Sequence, residues 1–276
     1  MYPQLAIEAA AHSDVGRRRS HNEDSFAALP CLGLFMVADG LGGNAGGEVA
    51  SRMAIEVVKG CFEVDEDREE TWPYGTGSAH DRDEVRLVLS VRRANRAIYD
   101  ASQKKAEVRG MATTFAGVLL GAGMAYIAHV GDTRVYRMRE GKLERLTRDH
   151  SLLEKMLDGD DGAREAVEAL SERAGVVTRA LGCDKSVDIE SRVEATLPGD
   201  LFLVCSDGLW GPVSEARIED VLGRHRDLSL AASLLVDIAN ERGGPDNVTC
   251  VLARLGGGAR RPAEPGATTG GLEGMP

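Results

Sequence analysis

Three apolar runs that each end in an aspartate constrain this chain more than any other feature. The run "LFMVADG" stops at Asp39, "AHVGD" at Asp132 and "LFLVCSDG" at Asp207. An unpaired carboxylate at the end of a buried strand costs several kcal/mol, roughly, unless a cation or hydrogen bonds compensate it. The three endings therefore predict strands that bring their acids to one shared cation.

Further acids join this set, and one arginine lies among them. Asp246 follows the glycine-proline turn of "GGPDN", and Glu23 and Asp24 close the stretch "RRRSHNED". Oxygen ligands without cysteine or histidine pairs select Mg²⁺ or Mn²⁺ over Zn²⁺, and a shared carboxylate can hold two such ions about 3.5–4 Å apart. Such sites activate water, most often against phosphate esters. Arg19 would then supply a planar fork for phosphate oxygens.

Each of these residues also has a plainer interpretation. Aspartate next to glycine is frequent in turns, so Asp132 or Asp207 taken alone is a turn acid with odds of roughly two to one. His129 is expected to be a strand residue with a local hydrogen bond. Ser206 has no histidine near it in the sequence, so it is not expected to be a nucleophile. The cation site therefore rests on the whole set of acids.

The composition excludes several classes of function. The chain has 276 residues, of which 43% are hydrophobic, enough for a sizeable core. Its formal charge of −11 disfavours a grip on nucleic acid or on an anionic membrane. The N-terminus lacks the pattern of a leader, and no apolar run is long enough to span a membrane. The five cysteines are scattered, as is typical of core residues in a reducing compartment, so we expect a cytoplasmic protein.

The order of the patterns predicts an α+β fold. Short β-type runs follow one another between residues 113 and 146 without an intervening helix, which favours antiparallel sheet, and "RVYRMREGKLERLT" alternates like a hairpin. Apolar residues at helical spacing predict three helices, with the stripes Val49–Met53–Val57, Leu87–Val91–Ala94–Ile98–Ala101 and Leu230–Leu234–Ile238.

The remaining segments set the expected domain limits. Residues 61–84 carry nine acids and two arginines and are expected to form an acidic surface loop. Residues 256–276 are rich in glycine and proline and are expected to be a disordered tail. We therefore expect residues 1–255 to form one domain, followed by the tail.

Seven ordered blocks of sequence, from "SDVGRRRSHNED" (13–24) and "FMVADGLGGNAGGEVAS" (35–51) to "GGPDNVTCVL" (243–252), resemble the PP2C-type (PPM) metal-dependent protein serine/threonine phosphatases in their compact bacterial form. The resemblance covers residues 5–255. It implies a four-layer α-β-β-α sandwich of two central antiparallel sheets flanked by helices. It also implies hydrolysis of phosphoserine and phosphothreonine by in-line attack of a hydroxide that bridges two Mn²⁺ or Mg²⁺ ions.

The same resemblance assigns roles at the centre of the site. Asp39 would bridge the two ions, and the carbonyl of Gly40 would bind one of them. Asp207 and Asp246 would complete the other, and Arg19 would clamp the phosphate.

Other assignments concern the edge of the site. Glu23 and Asp24 would hold coordinated waters or ligate at the edge, and Asp132 would help Asp207 to hold a third, weaker metal. Residues about 152–176 would form a mobile flap. Leu41 stands where eukaryotic members carry a histidine proposed as general acid, so no general acid is assigned.

The resemblance implies phosphoprotein partners, namely a Hanks-type kinase and its substrates, with neither nucleic acid nor membrane, and we expect a monomer. Three alternatives stay open: a phosphatase for one phosphoserine regulator in a partner-switching pathway, a non-catalytic module that binds phosphoproteins, and a small-molecule phosphomonoesterase. The binding module is disfavoured because a degenerate site would be expected to have lost one of its acids, and Asp39, Asp207 and Asp246 are all present.

Overall fold

A computed structural model describes residues 6–41, 46–63, 79–104, 106–152, 154 and 176–256. Three predictions fall wholly or mostly outside these residues: the interior of the flap, the middle of the acidic loop and the tail beyond Gly256.

Two antiparallel sheets form the centre of the molecule. The strands are β1 (Ile7–Asp14), β2 (Asp24–Leu29), β3 (Leu34–Leu41), β4 (Ala112–Thr113), β5 (Phe115–Gly121), β6 (Met124–Val130), β7 (Arg134–Arg139), β8 (Lys142–Arg145), β9 (Glu190–Ala195), β10 (Leu201–Cys205) and β11 (Val248–Leu255). One sheet has the order β1-β11-β10-β7-β8 and the other β2-β3-β5-β6-β9, with β4 pairing with β3. The paired strands of both sheets run antiparallel, so the predicted α+β class is confirmed.

Helices cover the outer face of each sheet. Helices α1 (Gly46–Glu63) and α2 (Ala79–Lys104) pack on the six-stranded sheet. Helices α3 (Asp207–Trp210), α4 (Glu215–Arg224) and α5 (Leu228–Glu241) pack on the five-stranded sheet. Single 3₁₀ turns lie at Pro30–Leu32 and Ala106–Val108.

The alternation of side chains along the central strands explains the layering. In β3, Leu34 and Met36 pack with the helices, whereas Phe35 and Val37 pack between the sheets. Phe202 of β10 joins that inner layer. A strand buried on both faces reads as a continuous apolar run. This is why "LFMVA" and "LFLVC" show no alternation, and the predicted four layers are confirmed.

The expected loop over residues 61–84 is wrong at both ends. Residues 61–63 are the last of α1, because Phe62 continues the apolar stripe of that helix into the core, where it is 7% exposed. Residues 79–84 begin α2, and Glu84 accepts a hydrogen bond from Ser191 in β9 (2.7 Å). Residues 64–78 lie outside the described part of the chain.

Two of the helical stripes are displaced from the prediction. In α1 the fully buried positions include Ala50, Ala54 and Val58, one residue beyond the expected set. In α5, Leu230 is 48% exposed, and the buried face includes Ala231 and Leu235. The contact with each sheet therefore combines alanines with larger apolar residues such as Val58 and Leu235. The stripe predicted for α2 is confirmed from Leu87 to Ile98.

The predicted hairpin is confirmed as β7 and β8, joined by Glu140 and Gly141. Cysteine burial is only partly as expected. Cys205 and Cys250 are buried, whereas Cys31 and Cys183 are exposed. Within the described residues, the helices are all too short or too polar to cross a lipid bilayer.

Candidate metal and phosphate site

The acids singled out in the sequence meet at one end of the sandwich, where strands of both sheets terminate. Asp24 is the first residue of β2 and the cross-strand partner of Asp39 in β3. Asp132 follows β6, Asp207 follows β10 as the first residue of α3, and Asp246 precedes β11. The two sheets therefore contribute to one site, as the apolar runs predict.

The strand that carries Asp39 extends further than expected, to Leu41, because β4 pairs with its end. The Asp39 carbonyl accepts hydrogen bonds from Thr114 N (2.8 Å) and from Thr113 Oγ1 (2.7 Å). Gly40 donates its N–H to the Glu23 carbonyl (3.2 Å). A Cβ on Gly40 would lie 2.4 Å from the Gly47 backbone, so a side chain has no room there. The glycine of the Asp-Gly pair thus permits close approach of α1.

The second Asp-Gly pair serves the same purpose on the other sheet. A Cβ on Gly208 would lie 1.9 Å from the Asn247 carbonyl oxygen, so α3 touches the start of β11 through this glycine. Ser206, just before it, donates to Asp24 Oδ2 (2.8 Å) and accepts from Thr249 N (3.0 Å). Ser206 is fully buried. Its hydroxyl therefore joins the two sheets behind the site.

Asn247 is a site residue that the sequence did not reveal. It is 4% exposed, and its Oδ1 accepts from Glu23 N (2.8 Å). Its Nδ2 donates to the carbonyls of Val15 (2.8 Å) and His21 (3.0 Å). Asparagine side chains in turns often form hydrogen bonds with nearby backbone groups. That tendency is the feature of the sequence that could have pointed to Asn247. Here the backbone that it holds belongs to the N-terminal loop that carries Arg19.

Arg19 lies at the solvent edge of the acids. Its Nη2 donates to Asp246 Oδ2 at 2.6 Å, and half of its side chain is exposed. The hydrogen bond to Asp246 raises the pKa of the guanidinium, with Glu23 and Asp207 acting in the same direction. Glu23 lies beside it, with its Oε1 3.2 Å from His21 Nε2. The predicted phosphate ligand and the predicted edge acid are therefore neighbours.

Burial and mutual repulsion perturb the carboxyl groups strongly. Burial raises the pKa of Asp24 to about 7, with repulsion from Asp207 and Asp246 adding to the effect. The pKa of Asp39 is raised well above its usual range by burial and by Asp24 and Asp207. Burial and the charge of Asp246 raise the pKa of Asp207 to about 6, against the hydrogen bond that it shares with Asp39. Groups perturbed in this way are typical of functional sites.

Two oxygens in the cluster have no partner in the described part of the chain. They are Asp24 Oδ1 and Asp207 Oδ1, and both are buried. A buried carboxylate oxygen without a donor is costly, and a divalent cation removes that cost. The donor set consists of hard oxygens, which suits Mg²⁺ or Mn²⁺. The residues present therefore fit such ions.

A hydrogen bond from a tryptophan side chain holds the backbone of Asp132 in place. Its carbonyl accepts from Trp210 Nε1 (3.0 Å), and the guanidinium of Arg134 lies 3.5 Å from the centroid of the Trp210 ring. Arg134 also forms a hydrogen-bonded ion pair with Asp149 (2.6 Å). Burial and repulsion from Asp207 raise the pKa of Asp132 to about 7. The sequence placed Asp132 here but did not reveal Trp210, which lies three residues after Asp207.

A second group of ligand-type side chains has a different character. His129, His150 and Glu190 have ligand atoms within 4.8 Å of one another. His129 Nε2 lies 2.8 Å from the Arg148 carbonyl, and Gly131 N donates to His150 Nδ1 (3.1 Å). His150 Nε2 lies 3.3 Å from both Glu190 Oε2 and Arg179 Nη1. The guanidinium of Arg179 beside this nitrogen disfavours a second cation there, so we assign the group a structural role, and the local hydrogen bond expected for His129 is present.

Comparison with known proteins adds an independent finding. The family model described as protein phosphatase 2C matches residues 14–238. The chain is similar to "Serine/threonine phosphatase stp" of Listeria welshimeri, with 31% identity over 255 residues that cover 89% of this chain and 95% of that protein. It is also similar to "Serine/threonine protein phosphatase PstP" of Mycobacterium tuberculosis, with 34% identity over 90% of this chain and 45% of that protein.

A solved structure with the same fold contains metal. It is the catalytic domain of serine threonine protein phosphatase PstP in complex with two manganese ions, at 32% identity and a TM-score of 0.77. The match covers 91% of this chain and 99% of that domain.

Proposed function

The chain belongs to the protein phosphatase 2C family, and from this premise we propose that it hydrolyses phosphoserine and phosphothreonine in proteins at the acid cluster beside Arg19. One observation carries the proposal. Carboxylates from both sheets converge with raised pKa values, directly beside an arginine at the solvent edge, and two of their buried oxygens have no partner among the described residues. That arrangement suits divalent cations on its inner side and a phosphate on its outer side.

Each residue of the cluster then has a role in holding the ions. Asp39 would serve both of two Mn²⁺ or Mg²⁺ ions, with the Gly40 carbonyl on one and Asp207 and Asp246 on the other. When bound, such ions neutralise phosphate charge and lower the pKa of a water molecule. Asp24, held by Ser206, would orient coordinated water.

Glu23 and Asp132 complete the set at its edges. Glu23 lies beside Arg19 and would hold water there. Asp132, fastened by Trp210, would share a third and weaker ion with Asp207.

In this proposal the side chains of the protein orient the phosphate group and do not provide the nucleophile. Arg19 would hold two phosphate oxygens through its planar fork, which fixes the phosphorus relative to the acids. Ser206 is excluded as a nucleophile because it is fully buried and its hydroxyl is engaged with Asp24 and Thr249. Leu41 cannot donate a proton, so the proton for the leaving alkoxide would come from water or from another group of the site.

The biological setting is also proposed. The enzyme would act in the cytoplasm as a monomer, in signalling that opposes a Hanks-type kinase. Supporting this setting are the scattered cysteines, typical of a reducing compartment, and the similarity to bacterial serine/threonine phosphatases.

Hydrolysis of p-nitrophenyl phosphate and of a phosphothreonine peptide, in EDTA, Mg²⁺ or Mn²⁺, tests the assignment. Phosphate release should depend on metal, and Asp207→Asn should lower turnover roughly a hundredfold or more, since even outer partners of metal ligands are worth 10–100-fold. Asp100→Asn, on the surface of α2, is the matched control and should keep normal turnover. A folded protein that releases no phosphate with any metal would instead favour the non-catalytic binding module.

A further inference from the structure

A groove between α4 and α5 opens beside the N-terminal loop. Its volume is about 480 Å³, within the range of sites that bind ligands. Val221 of α4 and Leu234 and Ile238 of α5 line it. Leu234 and Ile238 are one helical turn apart, so they lie on the same face of α5. The groove therefore offers an apolar floor between two helices.

The two walls of this groove differ in charge. On α4, Arg217 and Arg224 share one partner, Asp220, at 2.7 and 2.6 Å. On α5, Asp237 and Glu241 are exposed, and neither has an ion pair among the residues that the structure describes. The α5 wall therefore presents two negative charges without an ion-pair partner in the described part of the chain, while Arg17 and the two arginines of α4 line the rest of the groove.

The groove borders the loop that carries the candidate phosphate ligand Arg19. Arg17 lines the groove, and its N–H donates to the Gly244 carbonyl (2.8 Å). Arg17 is two residues from Arg19, and Gly244 is two residues from Asp246. Two residues span at most about 7 Å of chain. A peptide with its phosphate at Arg19 can therefore reach the groove within a few residues.

We propose that this groove binds a segment of the phosphoprotein substrate that flanks the phosphorylated residue. The segment carries an apolar side chain, which packs on Leu234 and Ile238, next to a lysine or arginine, which pairs with Asp237 and Glu241. The proposal rests on the proposed phosphatase function and adds a preference for sequence around the phosphorylated site. Charge complementarity to Asp237 and Glu241, together with the closeness of Arg17 to Arg19 in the chain, selects this occupant.

A register scan measures the preference directly. The peptides form a series of fluorescent phosphothreonine peptides with one common sequence. Each peptide carries a single Leu-Arg pair, and the position of this pair relative to the phosphothreonine changes from one peptide to the next, on either side. Anisotropy in EDTA gives each Kd without turnover, and kinetics in Mn²⁺ give KM and kcat. We expect one register to bind about tenfold more tightly and to have a correspondingly lower KM, with kcat little changed.

A charge-reversed variant links that preference to the groove. In Asp237→Lys/Glu241→Lys the favoured register should lose its advantage, and a Leu-Glu pair in the same place should gain one. Hydrolysis of p-nitrophenyl phosphate, which is too small to reach the groove, should not change. Glu107→Lys, an exposed charge reversal next to α2 and outside the groove, is the matched control and should keep the wild-type preference.

The possible failures are distinguishable. Equal Kd values for all registers, or a preference that survives charge reversal, would overturn the groove proposal while hydrolysis still supports the enzyme. Absence of hydrolysis together with a register-dependent Kd would contradict the phosphatase function but would still support the groove as a peptide-binding site. A charge reversal that changes only the oligomeric state in light scattering would show that a second copy of the chain occupies the groove, against our proposal.

Discussion

Arg19 reaches the acid cluster from the solvent side, where its guanidinium pairs with Asp246. As the proposed phosphate ligand, it would bind phosphate in the ground state and in the transition state alike, so Arg19→Ala should raise KM for a phosphopeptide and leave kcat little changed. A charged hydrogen bond is worth about 1.5–3 kcal/mol, so we expect KM to rise roughly tenfold or more. Steady-state kinetics in Mn²⁺ measure the effect.

Arg18→Ala is the control for that variant, because Arg18 is the exposed neighbour of Arg19 in the same loop. It should keep the wild-type KM. A fall in kcat at unchanged KM for Arg19→Ala would contradict a role in ground-state binding.

The buried carboxyl of Asp132 predicts a dependence of stability on pH. Its pKa of about 7 in the folded protein lies well above the value of about 3.9 in an unfolded chain. Between these values the folded state binds more protons than the unfolded state. The stability that this group contributes is therefore complete below about pH 4 and is lost as the pH rises through 7.

Asp132→Asn removes that loss, since an amide does not ionise. In EDTA the variant should be more stable than the parent at pH 8, by about 1–4 kcal/mol, and nearly equal to it at pH 4. Urea denaturation at both pH values measures the difference. Asp237→Asn, at an exposed position, is the matched control, and an Asp132→Asn variant that is less stable at pH 8 would refute the interpretation.

Among the elements, the hairpin of β7 and β8 contains a turn residue poorly suited to its backbone. Glu140 has φ 51° and Gly141 has φ 81°. Two successive positive φ values define the turn type that prefers Asn-Gly. Glu140→Asn should therefore stabilise the protein by about 0.5–1 kcal/mol.

Thermal and denaturant unfolding measure that gain. Glu140→Gln removes the same charge without any preference for positive φ and should leave stability unchanged. Equal stabilisation by Gln and Asn would mean that charge, and not backbone conformation, is responsible.

Helix α3 shows how one short element serves the site at both of its ends. Asp207 begins the helix and enters the acid cluster, and Trp210 ends it and holds the carbonyl of Asp132. One helical turn thus fixes the distance between two acids from different sheets. The apolar run before Asp207 predicts the strand, but the four-residue helix depends on packing against β11 through Gly208.

At the scale of the whole molecule, the layer between the sheets determines whether both halves of the site stay together. Phe202 is fully buried in that layer with Phe35 and Val37 of the opposite sheet. Phe202→Ala should destabilise the protein by about 3–5 kcal/mol. Because both sheets share this core, unfolding should remain a single transition.

Denaturation followed by both fluorescence and circular dichroism tests this prediction. Phe26→Ala is the matched control, since Phe26 is 40% exposed and its loss should cost little. Two separate transitions in Phe202→Ala would mean that the sheets fold independently.

The sequence by itself determined the class of the fold and which acids meet at one site. Strands buried on both faces must be continuous apolar runs, and acids at their ends must be compensated, so "LFMVADG" and "LFLVCSDG" predicted both the sheets and the meeting of Asp39 with Asp207. The resemblance, carried by the ordered blocks, predicted the four layers and the family. The separate metal and phosphate roles of the acids and Arg19 stay predictions.

Only the tertiary structure decided which side chains hold that site in place. Ser206 reaches Asp24 across 182 residues of chain, and Asn247 reaches Glu23 across 224. It also decided that the fully buried faces of α1 and α5 include Ala50 and Ala231, and not Val49 or Leu230. Local patterns report which residues can be buried, but partners far apart in sequence become neighbours only when the two sheets pack together.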